Sequence, residues 1–355
     1  MGQGANDRRD HGRAVRAIAG AAAWLLAAIT AVPAAEPDFS AAERHRLARI
    51  TRLPADGDLD AGAIAAVTFT SISAKDLPDF ADADCRALGR LPKLASVTLH
   101  GLPLSAACVD ALPRSPVSLT LDGVAFAPDT LAALGRMPGL VGLRIDGGTG
   151  LTPRLVDALP PTSSLLRLAV GDVDGETLAA LRRVPRLTEL EIGVVSGAQG
   201  LAPLDGAPEL ERLVTTDASA GDLEVVARLP KLGALSTGLD ESVGEAGLRS
   251  LVRSPTLKSV SLAFSGRNGA AGVGILAEMP RLEELRLVYQ TVPDRDLARL
   301  ARSPTLTSLD LREADVTAAG LLSLLKSRSL KSVGLWRVEV ADDVRRRLRK
   351  RFAID

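Results

Sequence analysis

Residues 303–326 read SPTLTSLDLREADVTAAGLLSLLK. Counted from Leu306, apolar residues fall at Leu309, Leu311, Val316, Leu321 and Leu324, and a new count opens at Leu330. The Leu309–Leu311 alternation is that of a strand with one buried face. The later step of three, from Leu321 to Leu324, is helical, and breakers such as Pro304 recur between segments. The stretch therefore predicts a short strand, a turn and a short helix.

The preceding segments repeat it in other letters. Residues 279–302 read MPRLEELRLVYQTVPDRDLARLAR, and residues 254–278 read SPTLKSVSLAFSGRNGAAGVGILAE. The same offsets hold around Leu282 (Leu285, Leu287, Val292, Leu297, Leu300) and, slightly shortened, around Leu165 (Leu168, Val170, Val173, Leu178, Leu181). Strand starts are expected near Ile64, Leu94, Val117, Leu140, Leu165, Leu187, Leu210, Leu232, Leu257, Leu282, Leu306 and Leu330. They stand 22 to 25 residues apart, except for a first step of 30. One such unit cannot bury its own apolar edge; a stack of similar units buries a continuous core.

The pattern L-x-x-L-x-L at this period resembles the leucine-rich-repeat family over residues 63–340, about twelve units. The resemblance implies an α/β fold: a curved solenoid with a parallel sheet on its concave side and short helices on its convex side. AAGLLSLL (318–325), GEAGLRSL (244–251) and GAAGVGIL (269–276) look most like the helical cysteine-containing or GALA-type subclasses. The family commonly places Asn or Cys about eight residues after the first Leu, where the side chain bonds turn backbone. Those positions here hold Leu102, Val124, Val173, Val195, Gln290, Ala314 and Val338. The turn backbone must then be satisfied by other groups.

The ends differ from the middle. Arg8, Arg9, Arg13 and Arg16 precede the uncharged run AIAGAAAWLLAAITAV (17–32), and small residues follow near Ala34 and Ala35. Residues 1–35 read as a secretory signal, with a run shorter than the ~20 residues a membrane-spanning helix needs. No later segment is long and apolar enough to span, so a protein exported to the periplasm or medium is expected, with no transmembrane segment after cleavage. Residues 36–62 are expected to form an N-terminal cap built on a helix over 40–53, opened by Ser40 with Glu43 three residues on. Residues 341–355 are expected to form a basic C-terminal cap, with Val344, Leu348 and Phe352 on its apolar face.

Basic and acidic residues number 43 each, so no global positive field argues for nucleic acid. The run RRRLRKR (345–351) is a local exception, since residues 36–340 carry 33 basic and 38 acidic residues. Its plain reading is a soluble cap, and its alternative is contact with an anionic envelope surface. Cys85 and Cys108 lie one repeat apart. Helices packed ~8–10 Å apart exceed the ~7 Å limit for bridged Cα atoms, so two small buried residues are favoured over a disulfide. GVGILA (272–277) matches a loose dinucleotide fingerprint, but its Val273–Leu276 step places it within a repeat helix, and no cofactor is expected.

Outward strand positions are the candidate binding residues. His100, Asp122 and Asp146 hold one place in successive strands, ~4.8 Å apart if in register, beside the hydroxyls of Ser96, Thr98, Ser118 and Thr120. A His–Asp pair beside hydroxyls suits general-base chemistry or a metal ion, but nothing supplies a cleft, a further metal-binding histidine or an oxyanion hole. Arg167, Glu189 and Arg212 form a second row, with Glu191 beside it and Arg144 nearby. A third group joins Arg286, Asp310, Glu284, Arg312 and Trp336, in which Trp336 is read as the one outward aromatic besides His100. Trp and Arg often dominate binding energy. What the resemblance implies is recognition along the concave sheet, often of a protein. The expectation is thus an exported, non-enzymatic, monomeric protein that binds a protein or an envelope polymer through that face. The rivals are an envelope-associated structural protein using its basic end, and a hydrolase or metal-binding protein using the His100 row.

Overall fold

The computed structural model describes residues 39–51, 61–114, 117–124, 128–137, 139–147, 152–157, 165–184, 186–239, 243–264, 272–289 and 291–354. The expected signal, residues 1–35, lies outside them. The described residues divide into two compact units, within 24–190 and within 191–355.

The first unit carries β1 (Phe69–Ser73), β2 (Ser96–His100), β3 (Val117–Asp122), β4 (Leu140–Asp146), β5 (Arg167–Val170) and the two-residue β6 (Val173–Asp174). The unit boundary falls within β7 (Glu189–Glu191). The second unit continues with β8 (Val195–Ser196), β9 (Arg212–Ala218), β10 (Ala234–Leu239), β11 (Ser259–Phe264), β12 (Glu284–Val288), β13 (Ser308–Arg312), β14 (Ser332–Trp336) and β15 (Ala353–Ile354). In each unit the main strands pair in parallel with their sequence neighbours, and a short α- or 3₁₀-helix stands in most of the intervals between them.

Register follows the leucine offsets. In the first unit Val97, Leu119, Leu143 and Leu168 lie side by side, as do Ile72, Leu99, Leu121, Ile145 and Val170. In the second, Leu213, Leu235, Val260, Leu285, Leu309, Val333 and Ile354 form one continuous row. These rows are buried to 5% exposure or less, apart from the terminal Ile354. Burying each side chain contributes about 1.5–3 kcal/mol, which is why the period repeats so strictly. Alternate strand residues face the other way and stay half-exposed.

The positions where the family commonly has Asn are filled mainly by core residues: Leu102, Val124, Val173, Ala314 and Val338 are all buried. Turn backbone is satisfied elsewhere. Ser254, Ser303 and Ser327 are buried, and their hydroxyls accept from the N–H of Leu257, Leu306 and Leu330 at 3.3, 3.3 and 3.1 Å. The two Ser-Pro-Thr-Leu segments (254–257 and 303–306) and Ser-Arg-Ser-Leu (327–330) are thus Ser-capped turns that aim the chain into β11, β13 and β14. Buried aspartates on the third residue of a helix do the same on the helical side. Asp222 accepts from Leu201 N at 2.6 Å, and Asp296 accepts from Gly272 N at 2.9 Å, each tying its repeat to the one before.

The first repeat departs from its expected start. Ile64 lies in a helix, Ala61–Ala65, and β1 begins at Phe69. Thr70 and Ile72 point inward, so Phe69 faces out and is 71% exposed. A shift of frame by an odd number of residues exchanges the two faces of a strand. Trp336 is therefore not the one outward aromatic besides His100.

The cysteines also correct the expectation. Cys85 and Cys108 are disulfide-bonded, with Cα atoms 5.1 Å apart. They sit on helices Asp82–Gly89 and Ala106–Ala111, whose backbones come near enough at this point for the bridge to close. Gly89 is the reason: a Cβ there would stand 1.9 Å from the carbonyl oxygen of Ala111, so its missing side chain admits the neighbouring backbone.

At the N-terminal side a helix spans Ala41–Thr51, and the Ser40 N–H donates to Glu43 at 2.9 Å while Glu43 N–H donates to Ser40 Oγ at 3.3 Å. Arg90 also binds the Glu43 carboxylate and, with Ser40, holds its pKa down at about 2. At the other side a helix spans Asp342–Arg349 and buries Val344 and Leu348, with Phe352 buried just beyond it; β15 then adds two residues to β14. No helix among the described residues is long and apolar enough to cross a membrane.

Candidate recognition surface

In the first unit, strand register places His100 opposite Asp122 and Asp122 opposite Asp146. His100 Nδ1 lies 3.1 Å from Asp122 Oδ2, and its Nε2 lies 3.2 Å from the hydroxyl of Ser71. Ser71 was not a candidate from sequence, because the misplaced start of β1 left its facing undefined. Arg144 reaches Asp146 at 3.5 Å, and Arg167 Nε donates to Glu189 at 3.1 Å.

The chain Ser71–His100–Asp122 has the connectivity of a nucleophile, base and orienting acid. Its setting does not support that chemistry. The His100 and Asp122 side chains are 41% and 53% exposed, so water competes for every bond. The N–H groups of β2 lie in the ladder and donate to neighbouring strands, so this strand offers no aimed donor pair for an oxyanion. Among the described residues no group of three or more His, Cys, Asp and Glu side chains is placed to hold a metal ion. What the row offers is a hydrogen-bonding ribbon of alternating donors and acceptors.

In the second unit, Glu191 is half-buried and Arg212 is exposed at the start of β9, opposite Ala234. Glu284 is exposed and accepts from Ser259 Oγ at 3.1 Å. The tighter assembly lies on β12–β14. Asp310 faces Arg286 across the ladder, and its Oδ2 accepts from Arg286 Nε at 2.7 Å and from Arg312 Nε at 2.8 Å. Arg312 lies opposite Trp336, with its guanidinium carbon 5.9 Å from the ring centre, and Arg337 stacks closer, at 4.5 Å. Trp336 is 49% exposed. One carboxylate thus fixes two guanidiniums, and two guanidiniums frame one indole.

Gly334 makes the arrangement possible. It lies opposite Asp310, and a Cβ on it would come 2.5 Å from Asp310 Oδ1. Gly334→Ala is expected to push the Asp310 carboxylate off both arginines at a cost of about 1–3 kcal/mol. Thermal unfolding should show that loss, and a crystal structure of the variant should show Arg286 released; an unchanged melting temperature would mean the carboxylate has room to spare.

Sequence reasoning also missed Tyr289, Glu313 and Arg337. Each follows the last residue of its strand and has a positive φ, of 58°, 49° and 53°. The signal was in the alignment of repeats: the residue after β2, β3 and β4 is glycine (Gly101, Gly123, Gly147), also at positive φ. They line an open cleft of about 560 Å³ together with Thr291, Ala314, Asp315, Val316 and Glu339.

Residues 239–346 match a family model described as "FBD-associated F-box protein At5g56370, LRR repeats". No curated protein matches the chain. Among solved structures, an internalin (inlF) from Listeria monocytogenes str. 4b F2365 aligns over 89% of this chain and 94% of its own, at 14% identity and a TM-score of 0.48.

Proposed function

We propose, from the premise that the chain is built of leucine-rich repeats, that it is an exported, non-enzymatic protein that binds a protein partner through the outward residues of its strands. The observation that carries this reading is the preorganised Arg286–Asp310–Arg312–Trp336 group. Its side chains are held by one another before any partner arrives, so little rotamer freedom remains to be lost on binding. It combines Trp and Arg, the residue types that most often dominate interface energy. The disulfide between Cys85 and Cys108 supports export, since such bonds persist in oxidising compartments.

The envelope-anchoring alternative draws no such support. The helix Asp342–Arg349 spends its apolar face, Val344 and Leu348, on the protein core, and Phe352 follows them inward. That leaves charge alone to hold a membrane surface, a weaker attachment than charge plus buried apolar area.

The test is photo-crosslinking from position 332, a half-exposed serine at the start of β14 that leaves Trp336 in place, against envelope and secreted extracts, with position 167 as the comparison site. The identified partner is then titrated against the wild type and Trp336→Ala. A loss of at least about 30-fold in affinity is expected, as for a central hot-spot residue. Equal affinity for both proteins removes this face from the binding site.

A further inference from the structure

The three residues Tyr289, Glu313 and Arg337 occupy a backbone region that side-chain-bearing residues rarely adopt. The equivalent places after β2, β3 and β4 hold glycine, so the fold itself asks only for the turn. None of the three fills the core: Tyr289 is 37% exposed, and the side chains of Arg337 and Glu313 are 67% and 27% exposed. Bulky residues held in strained conformations at three successive sites point to a use for the side chains themselves.

What those side chains build is one wall of the 560 Å³ cleft. The Arg337 guanidinium is committed, bonded to Glu313 at 3.1 Å and stacked on Trp336. Two further carboxylates line the cleft, Asp315 and Glu339, both on exposed residues, with Asp315 3.5 Å from the hydroxyl of Thr291. The charges therefore leave the cleft net negative, beside an exposed aromatic ring. Burial and then the Glu313 carboxylate raise the pKa of the Tyr289 phenol, which keeps it a neutral donor.

We propose that this cleft receives a lysine or arginine side chain of a protein partner, the cation resting against the Tyr289 ring with Asp315 and Glu339 as its counter-charges. The proposal rests on the reading that the chain binds a protein, and names the chemistry of one contact.

The chain offers its own reporter. It has two tryptophans, Trp24 and Trp336, and one tyrosine, Tyr289, so a full-length Trp24→Phe protein confines intrinsic fluorescence to this patch. The probe is a short capped peptide with a central arginine, titrated at low salt against the same peptide carrying neutral citrulline. A saturable fluorescence change is expected with the arginine peptide, at least about 10-fold weaker with citrulline and with Asp315→Asn/Glu339→Gln. The triple variant Tyr289→Gly/Glu313→Gly/Arg337→Gly is read by circular dichroism on melting and by binding of the same peptide to the immobilised protein. It should melt no lower than the wild type and lose the peptide. Equal responses to both peptides, no response to arginine, or a lower melting temperature of the glycine variant would overturn the proposal. Any of these, with Trp336-dependent partner binding intact, leaves the broader function standing; loss of that partner binding is a separate failure.

Discussion

Gly89→Ala is expected to lower the stability of the chain by about 3 kcal/mol, at the upper end of what overpacking ordinarily costs. The added methyl would sit 1.9 Å from the Ala111 carbonyl oxygen and 3.1 Å from its carbon. Both atoms are backbone, so no side chain can swing aside. Helices Asp82–Gly89 and Ala106–Ala111 must part by more than an ångström, against a disulfide that holds Cys85 and Cys108 at 5.1 Å between Cα atoms. The bridge closes a loop of 23 residues' separation, and removing it by Cys85→Ser/Cys108→Ser should itself cost roughly 3 kcal/mol. The two effects are coupled. Once the bridge is gone the helices can separate, so Gly89→Ala costs less in the Cys-free background than in the wild type. Urea unfolding of all four proteins gives the cycle. Strict additivity would show that the glycine and the disulfide do not share the same close approach.

The second large effect is at the centre of the leucine ladder. Leu309→Ala is expected to cost about 3 kcal/mol, within the 2–5 kcal/mol range for buried leucines. Leu309 is fully buried, and its strand neighbours in register are Leu285 and Val333. In a stack where each repeat touches chiefly its neighbours, the vacated space cannot be filled from a distance. Hydrogen exchange should show amides of β12 and β14 losing protection along with those of β13. A loss below about 1 kcal/mol would mean that Leu309 is not a core residue, and the register of the second unit would have to be redrawn.

Much of the candidate surface was readable in advance. The row His100, Asp122 and Asp146 and the pairs Arg167–Glu189 and Arg286–Asp310 follow directly from equal offsets in successive repeats. Once parallel strands stack in register, equal offset means adjacency. Ser71 and Phe69 were not readable, because the first repeat departs from the common spacing and Ile64 went to a helix. Tyr289, Glu313 and Arg337 were passed over because offsets mark which residue follows a strand but carry no backbone angle. Their meaning appeared only when the positive φ at these three sites could be set beside that of Gly101, Gly123 and Gly147.

The order of residues alone was enough for the period and, beyond the first repeat, for the strand faces and the stacking, because burying one leucine edge against the next is a local, repeated demand. Distance between helices is not such a demand. The contact of Gly89 with Ala111, the Cys85–Cys108 bridge beside it, and the carboxylate of Asp310 settled against Gly334 depend on how closely two backbones approach, and that separation is set only when whole repeats pack together.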